Sequence, residues 1–280
     1  MEKSTANKNF YNSINDAWLF IMGGNFHWGY FLSESDSLDM ATNNLINAMS
    51  NLVKPTVKDK IIDIGCGIGH PAFHLHALFG SEVFGVSISE NGINEANILA
   101  EEKGFQDKTS FFVMDAMNLN FPDNAFDIAW IMESSHLMPS KTILVNEAVR
   151  VLKPQGRIVL CDLMLQRPLK AREILKYQED LKKMEKSFGQ AKLDTLQVYQ
   201  NIFAENNIQV NESFYISESV IKTLDCWKNN IENNWDKLSP YFSINQKTDF
   251  LETCDFLKYL YESEIWGYGI ISGTKILYYE

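Results

Sequence analysis

The sequence predicts an α/β fold, a mostly parallel sheet with helices on both faces. Between Lys60 and about Gln166, short apolar runs rich in β-branched residues alternate with segments of helical period, the pattern of repeated strand–helix–strand units. The first of these runs ends in a glycine-rich turn that opens into a helix. Hydrophobic residues make up 45% of the 280 residues and charged ones 22%, which supports one large core and is too apolar for a disordered chain.

Strands are expected over residues 60–64, 81–88, 109–114, 126–132 and 157–163, each a short apolar run bounded by turn residues. Ser89 is placed to cap a helix whose first turn holds Glu90 and whose apolar positions Ile93, Ala96, Ile98 and Leu99 lead to a stop at Gly104. A second helix over 141–152 is closed by Pro154 and Gly156. Ahead of this core, residues 7–50 have helical patterning with one aromatic break, GGNFHWGYF, over 23–31. Behind it come a charged amphipathic helix over 168–190, a helix over 194–206, a strand over 208–217, helical stretches over 219–238 and 248–264, and a closing strand over 266–275. The last two strands are thus separated by a helical insertion rich in Trp and Phe, which suits a lid over an apolar pocket.

The charge balance excludes some partners. With 36 acidic and 25 basic side chains the net charge is -11, which repels phosphate backbones and anionic lipid, so neither nucleic acid nor stable membrane association is expected. No run approaches the roughly 20 apolar residues that span a bilayer. The start, MEKSTANKNFYNS, has no apolar h-region, so a cytoplasmic location is expected. Cys66, Cys161, Cys226 and Cys254 are far apart in a chain too long to need disulfides and read as free thiols.

The sharpest local signal is IIDIGCGIGH, residues 61–70, where an apolar strand runs into Gly65, Gly67 and Gly69. Glycines there let a ligand approach the backbone, and the helix start just beyond offers unpaired N–H groups. A dinucleotide fingerprint would require a glycine three residues after Gly67, where His70 stands. The loop fits D-x-G-x-G-x-G better.

Together with VFGVSIS, VMDAMNLNFPDNAFD and VLKPQGRIVLCD, this loop resembles the class I S-adenosylmethionine-dependent methyltransferases in sequence, order and spacing. Within them the chain looks most like the small-molecule branch, which includes natural-product sugar O-methyltransferases, tocopherol-type C-methyltransferases, phosphoethanolamine N-methyltransferases and cyclopropane fatty-acid synthases. The resemblance implies a Rossmann-like sheet of seven strands. It also implies an N-terminal helical cover over 1–55 and a cofactor-binding core over 56–167. Residues 168–245 would then hold helices, the sixth strand and an acceptor-binding lid, and 246–280 the final helix and closing strand.

Carried over residue by residue, Asp63, Gly65, Cys66 and Gly67 would line the methionine part of S-adenosylmethionine, and Asp115 and Ala116, with Met117 beside them, the adenine. Ser87 and Ile88 stand where many members place an acid on the ribose, and Gly92 stands where related branches carry a Gln. The segment GNFHWGY resembles one that closes over the cofactor, so the rings of Trp28 and Tyr30 would face the sulfonium by cation–π attraction.

Methyl transfer is an in-line displacement, so the residue of interest is a base for the acceptor. WIMESSHLMP puts Glu133 and His136 at the carboxyl edge of the sheet, and the next strand brings Asp162 there. Sugar O-methyltransferases that resemble this chain use a His and an Asp at these positions, which makes His136 and Asp162 the expected catalytic pair. Glu133 would bind the cofactor or a cationic acceptor. His70 and His74 have metal-pair spacing, but no third ligand is near in sequence and no metal is assigned. The expected activity is O-methylation of a small natural product, leaving S-adenosyl-L-homocysteine. C- or N-methylation, a catalytically degenerate cofactor-binding scaffold and a nucleotide-dependent oxidoreductase stay open, as does a homo-oligomer.

Overall fold

Strand β1 (Lys60–Ile64) sets the pattern for the sheet: Ile61 points into one core, while Ile62 and Ile64 point into a second core on the other face. It is joined by β2 (Glu82–Ser87), β3 (Thr109–Val113), β4 (Phe126–Met132), β5 (Leu152–Leu165), β6 (Ile208–Tyr215) and β7 (Trp266–Lys275) in the order β3-β2-β1-β4-β5-β7-β6. Pairing is parallel from β3 through β5, and β7 runs antiparallel to both its neighbours. The computed structural model describes residues 16–24 and 26–276, so the start of the expected N-terminal helical stretch lies outside the described residues.

Helices cover both faces, as the continuous apolar character of the inner strands requires. Helices α1 (Asp16–Met22), α2 (Leu38–Val53), α3 (His70–Phe79) and α4 (Glu90–Lys103) lie before β4 in the chain. Leu45, Phe73 and Ala96 of the last three share a core with Trp130 and Val159. On the opposite face, α5 (Lys141–Val151) and α8 (Leu196–Glu205) pack Leu144 and Phe203 with Ile131 and Leu160. The expected caps of α4 are present: Ser89 accepts from the Gly92 N–H at 3.1 Å, and Gly104 closes the helix in the left-handed region at φ 70°.

The departures from expectation have local causes. Strand β5 begins at Leu152, directly after α5, because Leu152 pairs with Phe126; the Pro154–Gly156 turn signal becomes an irregularity inside the strand, with Gln155 at φ 63°. The expected helix over 168–190 is two helices, α6 (Ala171–Lys176) and α7 (Gln178–Phe188), which meet at Tyr177. That ring is buried against Phe256 and Tyr259, and its hydroxyl meets the Tyr259 hydroxyl at 2.6 Å, so the chain bends to keep it there. The stretch over 219–238 is likewise divided, into α9 (Ser217–Val220), α10 (Lys222–Asn233) and α11 (Trp235–Leu238). Helix α12 (Ile244–Glu262) starts four residues before the expected position, where Ser243 and Gln246 form a capping box.

Helices α9 to α12 lie in sequence between the neighbouring strands β6 and β7. Helices α7, α10 and α12 pack over the face of the sheet that carries Trp130 and Cys161, beyond the carboxyl end of β4. Burial predicts where the fold is sensitive. Ile158→Ala, at a fully buried β5 position, is expected to cost about 2–5 kcal/mol. Leu175→Ala, at a residue 74% exposed on α6, should stay within about 0.5 kcal/mol. Urea unfolding of the two variants checks this.

Candidate active site

The loop after β1 is shaped by its glycines. Gly65, Gly67 and Gly69 have φ of 89°, 55° and 85°, a region that side-chain-bearing residues rarely adopt. The N–H groups of Gly65 and Cys66 both donate to the Val86 carbonyl, at 2.8 and 3.1 Å, which ties the loop to the end of β2. A β-carbon on Gly65 would strike the Ser134 side chain at 2.2 Å, whereas one on Gly67 would meet nothing within 4 Å among the described residues. Gly67 therefore borders open space where a ligand can reach the backbone.

Beneath this loop Asp63 is 1% exposed, and its Oδ2 has no hydrogen-bond partner among the described residues. Burial raises its pKa from 3.8 to about 7, with His27 pulling the other way. Burial also raises the Cys66 thiol well above its ordinary range, and the Asp63 charge adds to that, which disfavours the nucleophilic thiolate. Ser87 is half-buried at the end of β2 and accepts from the Ser89 N–H at 3.2 Å. Asp115 is exposed; its Oδ1 accepts from the Met117 N–H at 2.9 Å within the loop after β3.

Glu133, expected as a cofactor or acceptor contact, lines a cleft and also ties distant parts of the chain together. It sits in the left-handed region at φ 49°, just past β4. Its carboxylate accepts from the Trp28 N–H at 3.0 and 3.2 Å, meets His27 Nδ1 at 2.9 Å and accepts from the Tyr268 hydroxyl. Both oxygens are thus taken by the chain itself, and Glu133 fastens the N-terminal segment to the sheet. Trp28, held this way, packs its ring against Trp227 at 5.2 Å, Tyr261 at 5.4 Å and Tyr268 at 6.2 Å. Tyr30 is fixed by its N–H to the Ala41 carbonyl and is absent from the cavity lining that includes Trp28.

His136 and Asp162 meet as expected. The imidazole Nδ1 lies 2.6 Å from Asp162 Oδ1, and the His136 N–H donates to Oδ2 at 2.9 Å. Asp162 is fully buried and also accepts from the Ser135 hydroxyl at 2.5 Å and the Leu163 N–H at 2.8 Å. Burial alone would raise its pKa, but the facing His136 and the donors on His136 and Ser135 outweigh it and hold the carboxyl below its ordinary range. An ionised Asp162 fixes the proton on Nδ1 and leaves Nε2 as the basic nitrogen.

His136 opens onto the same cleft, which is partly continuous with solvent. Its walls include Trp28, Met184, Phe188, Trp227, Leu257 and Trp266; among the described residues the ionisable side chains in the lining are Glu133 and His136. Sequence reasoning missed Tyr268, Met184 and Trp266, which reach the site only through the packing of distant elements. His27 and Lys141 were within reach: His27 adjoins the aromatic turn, and a lysine opening a helix runs against the helix dipole. His70 and His74 are not brought together as ligands. His74 Nε2 bonds Asn47 at 3.1 Å, and His70 is pushed down to about 4 by burial, with His27, His74 and Lys103 adding to the shift. No metal-binding group of three or more His, Cys, Asp or Glu occurs among the described residues.

The profile of the methyltransferase-domain family matches residues 55–242, two thirds of the chain. The chain belongs to this family. Among curated relatives of this methyltransferase domain, 27-O-demethylrifamycin SV methyltransferase of Amycolatopsis mediterranei is 36% identical over 167 residues, covering 59% of the chain and 61% of the relative. Sterol 24-C-methyltransferase ERG6B of Gibberella zeae is 34% identical over 150 residues, covering 53% and 39%. The chain thus spans between two fifths and three fifths of these relatives' own length. The crystal structure of the [4+2]-cyclase SpnF superposes with a TM-score of 0.81 over 98% of this chain and 97% of that one, at 20% identity, a likeness of fold alone.

Asp63 gives a pH prediction. A carboxyl with a raised folded-state pKa brings stability that is fully present below its unfolded value, 3.8, and is lost as pH rises through about 7. The ligand-free protein should therefore lose stability relative to Asp63→Asn between about pH 4 and about pH 8. Thermal unfolding of both proteins across that range is the measurement, and parallel curves would refute the assignment.

Proposed function

We propose that this methyltransferase-family protein transfers the methyl group of S-adenosyl-L-methionine to a hydroxyl of a largely apolar small molecule, with His136 as general base. The observation that carries the reading is the His136–Asp162 pair, fixed by a buried and ionised carboxylate and opening onto an apolar cleft. The loop residues fit the cofactor. Open space over Gly67 and the unpartnered Asp63 Oδ2 suit the amino-acid part, alongside Gly65 and Cys66. Ser87 and Ile88 would face the ribose, and Asp115, Ala116 and Met117 the adenine. When bound, the cofactor supplies an electrophilic methyl group.

The chain's own contribution is to orient the acceptor and to take its proton. Nε2 of His136 accepts the hydroxyl proton as the oxygen attacks, and the Asp162 carboxylate stabilises the resulting imidazolium. The cleft walls are largely apolar, and Trp28 forms part of one side. Among the described residues no Lys or Arg lines the cleft, and Glu133 stands on its wall, so they offer an ionised phosphate inside no counter-charge. The acceptor is therefore an unphosphorylated molecule whose apolar body fills the cleft. Among the described residues no helix is long and apolar enough to cross a membrane.

Calorimetry with S-adenosyl-L-homocysteine tests the cofactor part: Asp115→Ala should weaken binding roughly tenfold to a hundredfold, the loss of one hydrogen bond to a charged group. Unchanged affinity would remove Asp115 from the site. Methyl transfer from a labelled donor to neutral hydroxylated polyketides and isoprenoids, each beside its phosphorylated counterpart, tests the acceptor class. On a productive acceptor His136→Ala should lower turnover by about 10²–10⁴-fold with cofactor affinity unchanged. Near-full turnover in that variant would exclude base catalysis, and label on carbon would change the atom assigned.

A further inference from the structure

Lys141 is 3% exposed at the first position of α5, where a positive charge opposes the helix dipole. Lysines are rarely buried without a paired carboxylate, and among the described residues none lies within 4 Å of this ammonium. Burial draws its pKa down from 10.5 to about 8, against the pull of Asp162 and Asp194. The ammonium instead donates to the Ser135 carbonyl at 2.5 Å and the Met138 carbonyl at 3.1 Å. These two carbonyls belong to the short 3₁₀ turn that presents His136 (Ser135–Leu137) and to the residue after it.

The peptide unit between Ser135 and His136 is consequently gripped at both ends. Its carbonyl accepts from Lys141 and its N–H donates to Asp162 Oδ2. The next carbonyl, that of His136, accepts from the Lys192 N–H at 2.7 Å. A second chain of donors reaches the same carboxylate from α8. The Ser135 hydroxyl donates its one proton to Asp162 Oδ2, so the Tyr199 hydroxyl, 2.7 Å away, donates to Ser135. Tyr199 is 1% exposed and Ser135 is fully buried; neither they nor Lys141 lines the cleft.

We infer that Lys141, Ser135 and Tyr199 are positioning residues, which hold the backbone and the carboxylate that orient the His136 imidazole without touching the acceptor. The ammonium and the carboxylate act on one peptide unit from opposite sides, which leaves the turn a single orientation. The Tyr199–Ser135 chain fixes Oδ2, so that Oδ1 is aimed at Nδ1. The inference rests on His136 being the base. Its test reads how the ring is held in the unliganded protein and needs no acceptor, whereas turnover of His136→Ala judges the base itself, so either can fail alone.

Proton exchange at the imidazole nitrogens decides the matter in protein labelled with nitrogen isotope at its five histidines. The His136 Nδ1 proton is assigned by its loss in His136→Gln. His76 Nδ1, which donates to the Ser81 carbonyl at 2.9 Å away from this network, serves as the internal control. Lys141→Met should speed exchange at His136 about tenfold, and Tyr199→Phe several-fold, with His76 unchanged. Ser135→Ala combined with Tyr199→Phe should exchange no faster than Ser135→Ala, because the two hydroxyls act along one chain. Unchanged exchange at His136, or equal acceleration at His76, overturns the inference. Tyr199→Phe removes a single oxygen and decides alone if Lys141→Met does not fold.

Discussion

A carboxylate wholly removed from water needs a donor for every lone pair that it presents, and in this fold Asp162 imposes that demand at the carboxyl edge of the sheet. Four hydrogen bonds meet it: two from His136, one from Ser135 and one from Leu163. Three of the four come from the turn after β4, so the path of that turn is dictated by the charge on β5 beside it. Register makes this geometry available, since Met132 pairs with Cys161 and Asp162 therefore stands just beyond the last paired residue of β4. Removing the carboxylate would leave several buried donors without acceptors, at a cost of roughly 1–3 kcal/mol each.

Glu133 plays the complementary part on the face toward the N-terminal segment. Where Asp162 organises the base, Glu133 gathers a backbone N–H, an imidazole and a phenol from elements more than a hundred residues away in sequence. Its left-handed backbone, unfavourable for a residue with a side chain, turns the carboxylate toward Trp28. The two neighbouring carboxylates thus divide the edge between them, one behind the cleft and one at its side. The ring of Trp28 settles among Trp227, Tyr261 and Tyr268 as a result.

The α/β core was legible in the sequence because each of its strands carries a local signal. Strands β1, β4 and β7 fall on the residues expected, and β2 and β3 end within a residue or so of them. The glycine loop was legible because backbone conformation there demands a specific residue type. The His136–Asp162 contact was legible because both residues sit at strand ends on one edge. What was not legible depends on packing across the molecule. Tyr177 breaks a helix whose charge pattern runs on unbroken, for the sake of a contact with α12. Glu133 reads as a ligand-binding acid in isolation, and its bonds to His27, Trp28 and Tyr268 come from elements too distant in sequence to foresee. Lys141 is conspicuous in sequence as a lysine opening a helix, but its burial and its carbonyl partners are seen only in the fold.

The helical stretch that lies between β6 and β7 leaves the sheet after Tyr215 and rejoins it at Trp266, three residues before Gly269, the partner of Tyr215. Its two ends are held together by the sheet whatever lies between them, and the entropy of closing a longer connection grows only with the logarithm of its length. Trp227 and Leu257 of the cleft belong to this stretch, whereas His136, Asp162 and the glycine loop do not. Inheritance can therefore treat the two halves of the site as separate modules: the inserted helices can be lengthened, trimmed or exchanged during divergence while the reactive edge keeps its geometry. A fold built this way diversifies what it recognises faster than what it does.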